Sequence, residues 1–390
     1  MRYFKLLAAT LLCSSTLTSC FKEEPLNAEC DIEQAYIHSD APEAMFFNLT
    51  DTLVKVLYDE DNINFMVKRG VDRSNLAPFF RTTIGATISP ASGSVQDFSK
   101  GAVNYTVTSQ DGQWHRNYQV FVNYPPVEYE EIKYDFEHYN LNTNKPKNKY
   151  YVWNELNSDG TLAYSWATGN PGYQKSKGTA QPNEFPTTPI QDGYEGAAVK
   201  LTTLDTGSWG EDAQMPIAAG NLFLGKFDVN VAIGEPMKGT MFGRPVSFKP
   251  ISFKGYYKYK RGDKFIDGSS GKKVLVNDKL DYGTIYAVLY DNHDASGDDI
   301  VLYGDNVQTS DQIVALAILP NIDNTAEWTP FDIKFVYKKK IDADKIRNFG
   351  YSLAIVCSSS VDGAKFMGAL GSTLCIDKLS IIREKEEDIE

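Results

Sequence analysis

The stretch VNYTVTSQDG, residues 103–112, decides the fold class. Val103, Tyr105 and Val107 alternate with Asn104, Thr106 and Thr108, the period-two pattern of a half-buried strand. Asp111 and Gly112 supply a turn that tolerates positive φ, and NYQVFVNY, residues 117–124, returns as the second strand of a hairpin. Working outward, AYIHS, DTLVKVLY and INFMVKR add short strands upstream, and TTIGATISPASGSVQDFSKG reads as strand, loop and bend. Five to seven strands over about 95 residues suggest an immunoglobulin-like sandwich.

Tyr124-Pro125-Pro126 interrupts this pattern, because proline donates no ladder hydrogen bond and favours a stiff extended connection. A domain boundary is expected there. Beyond it the chain stays β-rich. In ISFKGYYKYK, Ile251, Phe253, Tyr257 and Tyr259 alternate with Ser252, Lys254, Tyr256 and Lys258, and FDIKFVYK sets Phe331, Ile333, Phe335 and Tyr337 against Asp332 and Lys334. QIVALAIL is apolar on both faces, as a strand covered on both sides would be. No period of 40 to 50 residues recurs, which favours a jelly-roll over a propeller. The expected fold is all-β: an immunoglobulin-like sandwich over residues 30–125 and a larger jelly-roll sandwich over 130–386. Long loops such as ATGNPGYQKSKGTAQPNEFPTTP, residues 167–189, are of the length that shapes a site.

The first residues concern address. Arg2 and Lys5 precede LLAATLLCSSTL, an apolar run too short to span a bilayer, so residues 1–19 read as a cleaved signal peptide. Leu17, Thr18 and Ser19 before Cys20 resemble the bacterial lipobox, which makes Cys20 the lipidated mature N-terminus and 20–29 a tether. Several acyl chains hold stably. Lys22, Glu23 and Glu24 resemble a surface-export signal, so the expected location is the outer membrane, displayed on the cell surface, with the periplasmic leaflet as the alternative. Removing Arg2 and Lys5 takes the formal charge from −12 to −14, which excludes nucleic acid as a natural partner. Cys30, Cys357 and Cys375 remain as thiols, an odd number that implies no disulfide framework.

The familiar catalytic motifs are absent. His38, His115, His138 and His293 stand alone in their segments, and neither HExxH nor CxxC occurs, so no metal or other cofactor is expected. There is no GxSxG elbow and no phosphate-binding GxxxxGK[ST] loop. DNHDASGDD, residues 291–299, has the oxygen-rich turn that calcium favours, yet Tyr303 stands where an EF-hand needs its bidentate Glu, and a solvated hairpin loop is the simpler reading. Aromatic rings and multidentate polar groups are more telling, because sugars offer C–H faces to rings and hydroxyl pairs to Arg, Lys and Asn. Trp166, Asn170, Trp209, Arg244, Tyr256 and Lys258 all fall in the second domain and are the candidate ligand-binding residues.

The segments WATGNPGY, GYEGAAVKLTT, PIAAGNLFLGKF, FGRPVSFKPISFKGYYKYKRGD, IYAVLYD, EWTPFDIKFVY and IVCSSSVDGAKFMGALGSTLCIDKLSI, spread over residues 130–386, resemble the putative carbohydrate metabolism domain family. The resemblance implies an immunoglobulin-like domain followed by a jelly-roll with a glycan pocket, and no assigned reaction. Within that frame Asp377 is expected to tie a strand to a loop. The expected function is glycan binding by a lipid-anchored surface protein, with an oligosaccharide or polysaccharide as partner; Arg244 and Lys258 hint at an anionic sugar. The alternative is a glycoside hydrolase or lyase working through a carboxylate pair, with Asp291 and Glu327 as candidates.

Overall fold

The computed structural model describes residues 25–126 and 128–385. Cys20 and the signal peptide lie outside the described residues. The chain divides into two compact units after Pro126.

In the first unit, a three-stranded sheet of Val54–Lys55, Ile32–Ile37 and Pro78–Thr82 faces a four-stranded sheet of Asn62–Met66, His115–Asn123, Val103–Thr108 and Thr87–Ser89. Asn62–Met66 runs parallel to His115–Asn123, and the other pairs are antiparallel. The alternation in the opening stretch is realised: Tyr105 and Val107 are buried with Tyr118, Val120 and Val122 against Ala35, Phe65 and Phe80. The Tyr118 hydroxyl accepts the Ile32 N–H at 3.0 Å, a polar tie between the sheets. The hairpin turn is longer than expected. Only Gly112 takes a positive φ, of 72°, and Ser109 pairs with Trp114 across a four-residue loop. The reason is Asp111, whose carboxylate accepts the Ser109 hydroxyl and the Gln113 N–H and so builds a side-chain-closed turn in place of a two-residue one.

The second unit is a jelly-roll of two packed sheets. Sheet A runs Thr187–Ile190, Ala198–Thr202, Thr373–Glu384, Pro250–Lys260 and Thr325–Lys334, with Tyr129–Tyr134 also pairing with Thr373–Glu384. Sheet B runs Asn221–Phe223, Tyr351–Ser358, Gly283–Asp291, Ile313–Ile322 and Val336–Tyr337, with Arg244–Val246 alongside Tyr351–Ser358. Val199, Leu201, Phe253, Tyr259, Leu374 and Ile376 of sheet A pack against Ile285, Ala287, Leu289, Leu353, Ile355 and Cys357 of sheet B. This is the main core. Sheet B has a second apolar side, where Tyr286, Val288, Tyr290, Ala354 and Val356 meet Phe242, Leu302 and Val307. Burial on both faces therefore belongs above all to Gly283–Asp291 and Tyr351–Ser358; in the doubly apolar Ile313–Ile322, Ile318 is exposed.

Cys357 is wholly buried between the sheets, and burial pushes its thiol well above the ordinary range. Phe253 is fully buried and edge-on to Phe331 at 5.2 Å. Phe253→Ala is expected to cost about 3–5 kcal/mol, read as a lower urea midpoint for the second unit. Leu162→Ala, at an exposed position, should stay within about 0.5 kcal/mol of wild type.

Candidate functional site

The uncovered part of sheet B's second face carries a cavity of about 430 Å³. Its floor is Asn221, Phe223, Thr284, Tyr286, Val356 and Ser358, the outward residues of three adjacent strands. Three short helices form walls: Asn170–Ser176, Gly207–Asp212 and Val229–Gly234, with the 303–309 and 360–366 turns closing the rest. The long loop 167–189 thus supplies a wall, as its length suggests.

Local chemistry explains why these helices stand where they do. Pro171 starts the first one, and the Asn170 amide mimics a strand residue: it donates to the Thr187 carbonyl at 2.8 Å and accepts the Thr187 N–H at 3.1 Å. The Gly207–Asp212 helix is clamped from below. Lys273 donates to Asp205 at 2.7 Å and lies 2.6 Å from Glu211, while the Asp205 carboxylate also accepts the Gly207 N–H. Burial would raise the Asp205 carboxyl, but Lys273 and that N–H outweigh it and hold it below the usual range. The clamp presents Trp209, 41% exposed, in the cavity wall.

The floor mixes apolar Phe223, Tyr286 and Val356 with polar Asn221, Thr284 and Ser358, and Ser360 and Gln308 add polar groups to the lining. Its two carboxylates are Asp305 and Asp362. Asp305 is paired with Lys238 at 2.9 Å; Asp362 lies 3.4 Å from Lys279 and 3.5 Å from Lys365.

The six candidate residues do not converge on this cavity. Trp209 alone lines it. Trp166 is 3% exposed, wedged edge-on against Tyr134 and Phe136, with its N–H donating to Glu155 at 2.7 Å; it is a core residue with no face for a ligand. Asn170 is fully buried and spends its amide on Thr187, so it too is structural. The Arg244 guanidinium stacks on Tyr164 at 4.0 Å and does not line this cavity. Tyr256 and Lys258 lie on the outer face of sheet A, where Tyr256 stacks on Tyr194 and Lys258 lies over Trp328. Asp291 is paired with Lys345 at 2.7 Å and Glu327 is on the sheet A strand Thr325–Lys334; neither lines the cavity. In the 291–299 loop, the Asp294 carboxylate accepts the Ser296 and Asp298 N–H groups and so closes its own turn. Among the described residues no group of three or more His, Cys, Asp or Glu side chains converges to hold a metal. Sequence reasoning missed the cavity's own floor, because Asn221, Thr284 and Ser358 become neighbours only through strand order.

The model of the putative carbohydrate metabolism domain matches residues 135–382. The chain belongs to that family. Its carbohydrate metabolism domain is the jelly-roll just described, and the SGBP N-terminal domain model, named for surface glycan-binding proteins, matches residues 44–122. A solved structure described as a putative glycoside hydrolase from Bacteroides thetaiotaomicron is 36% identical over 94% of this chain and 100% of its own, with a TM-score of 0.59. Another so described, from Bacteroides vulgatus, is 38% identical over 65% of this chain and 98% of its own, with a TM-score of 0.58. No curated protein matches. The chain is therefore a carbohydrate-related protein with two all-β sandwiches.

Glu155 offers a measurable property of the domain. Burial, aided by the nearby Asp135 charge, raises its carboxyl from 4.5 to about 7 against the opposing Trp166 N–H. The folded form then holds a proton that the unfolded chain has lost, so this group's contribution to stability falls as pH rises from about 4.5 to 7. Glu155→Gln keeps an acceptor for Trp166 and removes that dependence. Thermal unfolding should show the variant gaining on wild type at pH 8 and not at pH 4.5.

Proposed function

We propose that the protein is a lipid-anchored cell-surface glycan-binding protein that holds an oligosaccharide in the cavity over sheet B. Cys20 carries the anchor, and the immunoglobulin-like unit acts as a spacer from the membrane. The observation that carries this reading is a cavity of about 430 Å³ with one exposed indole, Trp209, in its wall and a floor that mixes Phe223, Tyr286 and Val356 with Asn221, Thr284 and Ser358. That volume suits a small-ligand site, commonly about 300–1,000 Å³, and the mix suits a sugar: ring face on indole, hydroxyl edges on Asn221, Thr284 and Ser358. The charged residues that line the cavity, Lys175, Lys365, Asp305 and Asp362, balance in sign, which favours a sugar of little charge over an anionic one.

Hydrolysis is the second reading, favoured by two observations: Asp305 and Asp362 both line the cavity, and two relatives above 35% identity are described as putative glycoside hydrolases. Against it, each carboxylate is engaged by lysine.

A glycan array followed by titration calorimetry tests the binding reading. Trp209→Ala is expected to weaken the best oligosaccharide by about thirtyfold, the effect of losing roughly 2 kcal/mol at an aromatic anchor. Arg244→Ala should leave affinity unchanged. No oligosaccharide bound, or no effect of Trp209→Ala, rejects this site. Reducing-sugar release abolished by Asp305→Asn or Asp362→Asn would establish the hydrolase reading in its place.

A further inference from the structure

The outer face of sheet A carries a second cleft, of about 740 Å³, which shares no residue with the cavity over sheet B. Its floor is Gly255 and Tyr256 on one strand and Pro330 and Asp332 on the next, with Tyr256 opposite Pro330 and Lys254 opposite Asp332. Tyr194 comes over from a loop and stacks on Tyr256 with ring centroids 3.6 Å apart and planes 12° from parallel. Two residues further along the strand, about 7 Å away, the Lys258 ammonium lies 5.0 Å over the Trp328 ring. Two aromatic platforms therefore stand side by side on one sheet face.

The Tyr194 loop is unusually well fixed for a surface segment. Asp377, wholly buried, accepts the Glu195 N–H at 3.1 Å and the Lys378 N–H at 2.7 Å. The Glu137 carboxylate accepts the Ala197 N–H at 3.0 Å. The approach is so close that a Cβ at Gly193 would sit 2.8 Å from the Asp377 carboxylate, and one at Gly196, with φ at +76°, 2.1 Å from that of Glu137. Burying a carboxylate costs several kcal/mol unless hydrogen bonds satisfy it, and one of those that satisfy Asp377 comes from this loop, whose ring, Tyr194, remains 47% exposed. A rigid, exposed aromatic loses little entropy on binding. The Trp328 indole N–H has no partner among the described residues.

Charge selects the occupant. The walls hold Lys133 with Glu131 at 3.6 Å, Lys254 with Asp332 at 3.3 Å, and Lys378 with Glu195 at 4.0 Å, so the local fields cancel in pairs. With Asp135 the cleft lining holds four acids against three lysines and offers a polyanion no positive field; Lys258, beside the Trp328 ring, forms no ion pair among the described residues, and rings flanked by paired donors and acceptors suit an uncharged sugar chain.

We propose that the outer face of sheet A is a second glycan site, which takes a segment of an uncharged polysaccharide across the Tyr194–Tyr256 stack and the Trp328–Lys258 pair. The site is separate from the cavity and stands whether or not the cavity binds sugar.

Affinity electrophoresis of the full chain in gels containing galactomannan, xyloglucan, arabinoxylan, mixed-linkage β-glucan or homogalacturonan tests it. At least one of the four neutral polymers should retard the chain. Tyr256→Ala and Tyr194→Ala should each raise the apparent Kd by about tenfold or more, with Tyr256→Phe retaining affinity and the exposed Leu162→Ala leaving it unchanged. Circular dichroism confirms that the variants fold, and Trp328→Phe should remove the fluorescence change on binding. The proposal is overturned if no neutral polymer retards the chain, if both alanine variants bind as wild type, or if only homogalacturonan binds and about 0.5 M salt abolishes it. Loss of oligosaccharide binding in Trp209→Ala with polysaccharide retardation intact separates the two sites.

Discussion

The jelly-roll depends on sheet B being covered on both sides. Ile285, Ala287 and Leu289 point into the main core while Tyr286, Val288 and Tyr290 point away from it into a second apolar layer. At about 25 cal/mol per Å² of apolar surface, leaving that outer row in water would forfeit several kcal/mol, so the sequence must supply a cover. It does so with a small sheet of Gly225–Phe227, Thr240–Phe242 and Leu302–Tyr303, locked by the Tyr290 hydroxyl donating to the Phe242 carbonyl at 2.7 Å. The cover is incomplete towards Asn221, Thr284 and Ser358, and the cavity is what remains. The site is thus a gap in a hydrophobic lid, walled by helices too short to be stable alone.

Sheet A solves the opposite problem. Its outer face carries Lys254, Tyr256, Lys258, Asp332 and Pro330 and needs no second layer. Carboxylates, some of them buried, serve as fasteners in this unit. Asp377 and Glu137 hold the 193–197 loop, and Asp281, almost wholly buried, accepts the Ser360 hydroxyl at 2.6 Å and the Ala369 N–H at 2.7 Å. In each case an acidic side chain replaces a ladder that the local backbone cannot make, which lets loops sit on a sheet without strands of their own.

Much of this was legible in the sequence, and the limit follows from distance along the chain. Period-two alternation in VNYTVTSQDG and ISFKGYYKYK placed Tyr105 inward and set Tyr256 and Lys258 on one face, because side-chain direction in a strand is a local property. Asp377 was read as a tie between strand and loop, and it is one. Trp166 and Trp209 could not be told apart by the same means. One is buried because Glu155 and Tyr134 come to meet it, and the other is exposed because the Lys273 clamp turns its helix outward; none of those partners is adjacent in sequence. Asn170 misled for a similar reason, since its backbone-mimicking bonds to Thr187 span 17 residues. The tight turn at Asp111-Gly112 failed more locally, through a side chain that competed with the backbone.

The order of strands in sheet A bears on how such a chain travels. Its middle strand, Thr373–Glu384, is also its last, and it pairs with Ala198–Thr202, Pro250–Lys260 and the unit's first strand, Tyr129–Tyr134. Until those final residues emerge, the three earlier segments have no common neighbour and the main core lacks Leu374, Ile376 and Leu379. Folding of the second unit is thereby deferred until this strand is available. Until then the unit stays threadable, a property suited to any route that passes proteins through a narrow translocation channel before they close.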